Sequence, residues 1–218
     1  MDSARSRGPA GRASRPAARR LPPEATAEPH RSRPMLNART SDTDPIKVAL
    51  LPQELVGLPG RIGLTFAPGK KHRAITGEWC RDVDKDLERL CQAYGTRVLV
   101  SLVEDHELEL LGIPELFASC ESHGIPVLRF PIPDGGVPGS RAELSQLVER
   151  IVGIARGGKT VVIHCRGGLG RSGLVAASCL VSLGVAPDDA IAAVRRVRPG
   201  AVENQRQERF IQAFLDAS

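Results

Sequence analysis

Residues 160–183 constrain the folding of this chain more than any other stretch. A β-branched apolar run, Thr160 to Ile163, follows Arg156-Gly-Gly-Lys159 and reads as a short buried strand. An Ala-rich apolar run, Leu174 to Leu183, has neither Pro nor Gly and reads as a buried helix. Between them lies a tight loop with glycines at 167, 168, 170 and 173. Strand, Gly-rich loop and helix N-terminus together build an anion cradle. Glycines let successive backbone N–H groups converge, and the helix end adds unsatisfied donors and a positive dipole.

Into that cradle the sequence sets Cys165 at the start of the loop and Arg171 at its end. A thiol facing converging amides, a helix N-terminus and a guanidinium is expected to ionise easily, because all three favour the thiolate. The amides of Arg166, Gly167, Gly168, Leu169 and Gly170, with Arg171 as a two-pronged donor, suit the terminal oxygens of a phosphate monoester. A thiolate beneath a bound phosphate is a nucleophile in line with phosphorus. Spacing alone is weak support, since Cys91-Gln-Ala-Tyr-Gly-Thr-Arg97 has the same Cys-x5-Arg pattern. That second match lies at a helix-to-strand junction with one glycine and reads as chance. The context at 165 separates the two.

A length of 218 residues suits one ordinary domain with a tail, and 41% hydrophobic residues with 3% aromatics imply an aliphatic core. Five cysteines without paired spacing argue for a reducing compartment and against a disulfide framework. No Cys/His cluster has zinc spacing, no run is long enough for a membrane helix, and no secretory leader is evident. These features predict a soluble, cytoplasmic protein, most simply a monomer, needing no metal or other cofactor. The net charge of +5 is uneven. Residues 1–40 hold nine Arg against Asp2, Glu24 and Glu28, a net of +6, which leaves about −1 for the remainder. This Arg-, Pro- and Ala-rich segment cannot bury enough surface to order itself, so residues 1–44 are expected to be a disordered tail and 45–218 the domain. Contact with nucleic acid is expected, if anywhere, only through the tail.

Within the domain, Ile46–Leu51 and Arg61–Phe66 read as strands of a hairpin, and 79–94 as a helix closed by Gly95. A strand over 97–103, an acidic loop over 104–109, a helix over 113–123 and a strand over 127–132 follow. Ser140 and Glu143 resemble a capping box opening a helix to Ala155. Helices over 188–198 and 205–217 end the chain. Alternating strands and helices predict an α/β fold, a mostly parallel central sheet with helices on both faces. Ligands then lie at strand carboxyl ends: after Val103, after Ile132 and at Cys165.

A phosphate ester also needs a proton for its leaving oxygen. Asp134 stands at a strand end between Pro133 and Gly135-Gly136, although Pro-Asp-Gly-Gly equally suits an ordinary turn. His164-Cys-Arg-Gly-Gly-Leu-Gly-Arg-Ser172 resembles the Cys-x5-Arg loop of the protein tyrosine phosphatase superfamily. Phe130-Pro-Ile-Pro-Asp-Gly-Gly-Val-Pro138 resembles the general-acid loop of its dual-specificity phosphatases, and is most similar to the group of kinase-associated phosphatases. The similarity runs from about Gly63, including Ala67-Pro-Gly69, to the C-terminus. It implies a dual-specificity phosphatase-like fold and a two-step reaction without metal. Cys165 attacks phosphorus, Asp134 protonates the leaving oxygen and later acts as base, and Arg171 holds the oxygens. Ser172 donates to the departing sulfur, and His164 orients the loop by hydrogen bonding. Tyrosine-specific relatives carry a water-orienting Gln where this chain has Glu203; Gln207 matches a second Gln of that loop.

The expected substrate is therefore a phosphorylated protein, bearing phosphotyrosine alone or phosphotyrosine together with phosphoserine or phosphothreonine. Phosphoinositides or small phosphate esters, a non-catalytic phosphate-binding adaptor, and sulfur transfer are the alternatives. Glu104 and Asp105 read as a solvated rim, and Lys70, Lys71 and Arg73 as an exposed basic turn. Cysteines 80, 91, 120 and 179 read as core fillers, with no feature marking one as a disulfide partner for Cys165.

Overall fold

The computed structural model describes residues 38–74 and 77–214. In chain order the elements are β1 (Ala49–Leu50), α1 (Gln53–Val56), β2 (Ile62–Phe66), β3 (Lys71–Ala74) and β4 (Gly77–Cys80). Next come α2 (Val83–Tyr94), β5 (Thr96–Ser101), α3 (Asp105–Leu110), α4 (Leu116–Ser122) and β6 (Val127–Arg129). The last are α5 (Arg141–Arg156), β7 (Thr160–Cys165), α6 (Gly170–Ser182), α7 (Pro187–Val197) and α8 (Gln205–Gln212). The main sheet has the order β1-β2-β7-β5-β6, and only β1 runs antiparallel to its neighbour. β3 and β4 form a separate hairpin. The architecture is the mixed α/β, mostly parallel arrangement expected.

Strand alternation divides the core in two. Val161 and Ile163 of β7, with Val98 and Val100 of β5, pack against α5, α6 and the helices α7 and α8. Val162 and Leu99, between them in sequence, face α2 and α4 on the other side. β7 is therefore apolar on both faces because both faces are covered. Helix starts follow local chemistry. Asp82 accepts from the Lys85 N–H at 3.0 Å to begin α2, and Ser140 accepts from the Glu143 N–H at 3.2 Å to begin α5.

Several boundaries differ from the sequence reading. β1 and β2 do pair antiparallel, but α1 fills the connection. Trp79 and Cys80 belong to β4, opposite Lys71 and His72, because the Asp82 cap delays α2 to Val83. The acidic stretch expected as a loop over 104–109 instead forms α3 with Glu104 as its N-cap, and Glu107 Oε2 accepts from the Glu104 N–H at 2.9 Å. α4 begins at Leu116, and α6 already at Gly170. α8 ends at Gln212; positions 215–217 of the expected helix lie outside the described residues.

The expected disordered tail also falls largely outside them, over residues 1–37. Its last part, 38–44, packs on the domain. Arg39 exchanges backbone hydrogen bonds with Glu78 and Cys80 beside β4, and Arg81 donates to the Asp44 carbonyl at 2.6 Å. Composition could not reveal this, because the partners are backbone groups. Among the described residues no helix is long and apolar enough to cross a membrane.

Candidate active site

The loop from Cys165 to Arg171 runs from the end of β7 into the first turn of α6. Its carbonyls turn outward. Arg198 Nε and Nη2 donate to Gly168 O at 3.0 Å and Gly167 O at 3.1 Å. The Arg166 carbonyl accepts from Lys70 Nζ and from the Ala67 N–H, each at 3.5 Å. In a trans peptide the next N–H points the opposite way, so the amides of Gly167, Gly168 and Leu169 face inward. One of them, the Gly168 N–H, donates to Cys165 Sγ at 3.2 Å. Ser172 Oγ lies 3.4 Å from the same sulfur. Cys165, Ser172 and the loop amides are thus brought together as expected, with the sulfur buried.

Arg171 is equally buried and gathers all three strand ends. It donates to Glu107 Oε2 and Oε1 at 2.6 and 2.8 Å, to the Ile132 carbonyl at 2.9 Å and to Asp134 Oδ1 at 2.9 Å. Burial disfavours both charges of the Arg171–Glu107 pair. Their mutual hydrogen bonds outweigh it, raising the Arg171 pKa and lowering that of Glu107. Asp134 is 54% exposed at the mouth and also meets Arg166 Nη1 at 3.4 Å. Arg166 in turn lies 3.3 Å from His72 Nε2.

Glu107 is one residue that sequence reading missed. It stood inside a stretch read as a solvated rim, and the signal available was the i, i+3 relation to Glu104 that caps α3. Arg198 and Asn204 were missed as well. Asn204 donates to Gly135 O at 3.1 Å, and Gln207 Nε2 to Gly136 O at 3.1 Å, so the start of α8 grips the Asp134 loop.

The surroundings of the other expected residues differ from the sequence reading in part. Gln207 is fully buried, with Oε1 taken by the Glu203 N–H at 3.0 Å, which ties its amide to backbone rather than leaving it open to water. Glu203 is exposed, yet its carboxylate overlies Gly170, where even a Cβ would collide with it. His164 is wholly buried, and among the described residues neither ring nitrogen meets a side-chain partner; the Cys165 backbone opposes, without overcoming, the burial that pushes its pKa down to about 4. Lys70 is buried under Trp79 instead of exposed, while Lys71 pairs with Glu115 at 3.4 Å.

The side chain of Arg73 lies outside the described residues. None of the five cysteines is paired, and Cys80 is exposed rather than a core filler. Burial pushes the Cys120 and Cys179 thiols up to about 12, which leaves them inert.

Comparison with known proteins agrees with this geometry. The sequence-family model of cyclin-dependent kinase inhibitor 3 (CDKN3) matches residues 33–191. The chain is 32% identical to cyclin-dependent kinase inhibitor 3 of Rattus norvegicus, over 79% of this chain and 80% of the relative. The Sus scrofa protein of that name is 33% identical over the same shares. Among solved structures, kinase-associated phosphatase with its catalytic-site cysteine replaced by serine superposes with a TM-score of 0.71 at 30% identity, covering 78% of this chain and 94% of that one. Tk-PTP in its active form gives 0.59 at 34% identity, covering 73% and 94%. The chain therefore belongs to the cyclin-dependent kinase inhibitor 3 family, dual-specificity phosphatases of the protein tyrosine phosphatase superfamily.

Proposed function

We propose that this phosphatase hydrolyses phosphotyrosine, and with it phosphoserine or phosphothreonine, on protein substrates through a cysteinyl-phosphate. The observation that carries the reading is the pair of polar contacts on Cys165 Sγ, from the Gly168 N–H and with Ser172 Oγ, beneath inward-facing amides and beside Arg171. A phosphate monoester entering the cradle takes those amides and the Asp134-facing edge of Arg171. The Cys165 thiolate attacks phosphorus, the ester P–O bond breaks, and the Asp134 carboxyl gives its proton to the departing oxygen. Water then attacks phosphorus, Asp134 takes its proton, and the P–S bond breaks to release phosphate and the thiolate. Ser172 Oγ donates to that sulfur as charge returns to it.

Relatives are named cyclin-dependent kinase inhibitors and kinase-associated phosphatase, so a phosphorylated protein kinase is the first substrate to test. Five unpaired thiols suit a reducing compartment, and we place the protein in the cytoplasm. The test is phosphate release from phosphotyrosine, phosphoserine and phosphothreonine peptides in EDTA, by wild type and Cys165→Ser. The variant should lose at least about a thousandfold in kcat while still binding phosphopeptide, because the cradle is intact. Turnover surviving in Cys165→Ser would reject the mechanism.

A further inference from the structure

Asn204 and Gln207 hold the backbone of the Asp134 loop, but the Asp134 carboxyl is held separately, and its two oxygens have different partners. Oδ1 accepts from Arg171 Nη2 at 2.9 Å, and Oδ2 from Arg166 Nη1 at 3.4 Å. Arg166 follows Cys165 directly, with its carbonyl turned outward to the Ala67 N–H. Its side chain spans the mouth of the cradle, and Nη2 lies 3.3 Å from Nε2 of His72 on β3. Among the described residues, Asp134 and His72 are the only side chains that meet this guanidinium.

A guanidinium can only donate. His72 Nε2 therefore accepts, which puts the ring proton on Nδ1 and requires a neutral ring. Nδ1 is buried and unpaired among the described residues, so the contact with Arg166 is the one polar bond the ring makes. Burial, and then repulsion by Arg166 and Lys70, lowers the His72 pKa and keeps the ring neutral. The same rule applies to Asp134. Its Oδ2 faces a donor that never loses its charge and stays an acceptor, so a proton on this carboxyl has only Oδ1 to occupy. Substrate changes the two partners unequally. The phosphoryl group takes the edge of Arg171 that holds Oδ1, whereas Arg166 is tethered at its other nitrogen to His72 and keeps Oδ2.

We propose that Arg166, braced by His72, is a positioning residue that fixes the proton of Asp134 on Oδ1, the oxygen that Arg171 releases toward the substrate. The inference rests on the phosphatase reading above and deepens it. In the first step the S–P bond forms and the ester P–O bond breaks. The proton leaves Oδ1 for the departing oxygen, and its electron pair stays on Asp134. In the second step Oδ1 takes the proton of the attacking water, and Oδ2 remains on Arg166 throughout. The 3.4 Å contact is of the kind that tightens once substrate is bound. Without Arg166 the carboxyl turns about its Cβ–Cγ bond, and part of the population points its proton away.

Arg166→Ala and wild type are compared on aryl phosphates whose leaving phenols range from acidic to weakly acidic. A misdirected proton matters most where the leaving oxygen is most basic. The variant should lose about tenfold in kcat on the poorest leaving group and less than about twofold on the best, with KM moving less than about threefold. Arg166→Lys, a point charge that cannot span both partners, and His72→Phe, which keeps a ring without the acceptor, should each show a smaller form of the same leaving-group dependence. In an Asp134→Asn background, Arg166→Ala should change kcat less than about twofold, because the acid through which it acts is gone.

Equal slowing across the series, a raised KM at unchanged kcat, or an undiminished effect in the Asp134→Asn background would overturn the proposal and make Arg166 a direct substrate contact. Crystals of Cys165→Ser with a bound phosphotyrosine peptide give a reading that needs no turnover. Asp134 Oδ2 should remain on Arg166 while Arg171 turns to the phosphoryl oxygens, and an Arg166 seated on the peptide would overturn the proposal. Absence of phosphate release by wild type would reject the catalytic reading, and the complex would still decide whether Arg166 holds Asp134.

Discussion

Glu107 holds the guanidinium that both steps of the proposed reaction use. Both its oxygens receive Arg171, which keeps one edge of the guanidinium turned to Asp134 and the cradle. Replacing it with Gln leaves the buried guanidinium only the half-exposed Asp134 as counter-ion, at a cost of about 3 kcal/mol. Glu107→Gln should therefore lower the urea midpoint markedly and also cut kcat/KM on phosphopeptides by about a hundredfold, since a tilted guanidinium mispositions the phosphoryl oxygens. Lost stability with unchanged kcat/KM, measured on folded protein, would reduce Glu107 to a structural role. At this scale the proximity of Cys165, Ser172 and Arg171 was legible in the sequence, because one local loop carries all three, while Asp134 entered through resemblance, its own spacing suiting an ordinary turn equally well. The sequence was illegible for Glu107 because a carboxylate becomes buried only when a partner 64 residues away meets it.

At the scale of elements, the loop between β7 and α6 is shaped from outside, by donors on its carbonyls, and from below, by β2. Gly168 has φ +72°, and a Cβ there would lie 2.5 Å from the Thr65 carbonyl carbon and the Phe66 nitrogen. Strand backbone cannot move aside, so Gly168→Ala should cost more than about 2 kcal/mol and remove the Gly168 N–H from the sulfur. Gly167→Ala, one residue earlier, meets nothing within 4 Å and should stay within about 1 kcal/mol of wild type. Parallel urea melts of the two variants decide the matter, and equal losses would contradict this geometry. The sequence read both glycines alike. Only the packing of the loop on β2 tells them apart. Likewise Gln207, matched by resemblance to a water-orienting position, is a clamp because α8 delivers it to the Gly136 carbonyl.

For the molecule as a whole, the buried histidine sets how stability responds to acid. The folded-state pKa of His164 is about 4 against 6.5 for the free side chain, so between those values the unfolded chain binds the extra proton. Stability must then fall as pH drops below about 6.5 and level off, for this residue, near pH 4, with a full loss on the order of 3 kcal/mol. His72, also lowered by burial and by Arg166, acts in the same direction. Glu107, whose pKa is depressed, adds its own loss as pH falls below the ordinary carboxylate value of 4.5. Urea midpoints measured from pH 7 to 4.5 should show this decline, and His164→Leu should flatten it. A wild-type profile with no slope in that window would mean that His164 is not buried neutral.

The amino-acid sequence by itself determined the layered α/β architecture, the anion cradle and the family. Strand periodicity, helix caps and a glycine-rich Cys-x5-Arg loop act over short distances along the chain. Only the tertiary structure decided which charges are met and which are left open: Glu107 on Arg171, Arg198 on the loop carbonyls, Asp86 on Arg81, and Lys70 under Trp79. Burial and pairing are properties of residues far apart in sequence that folding brings within a few ångströms, and no local pattern encodes them.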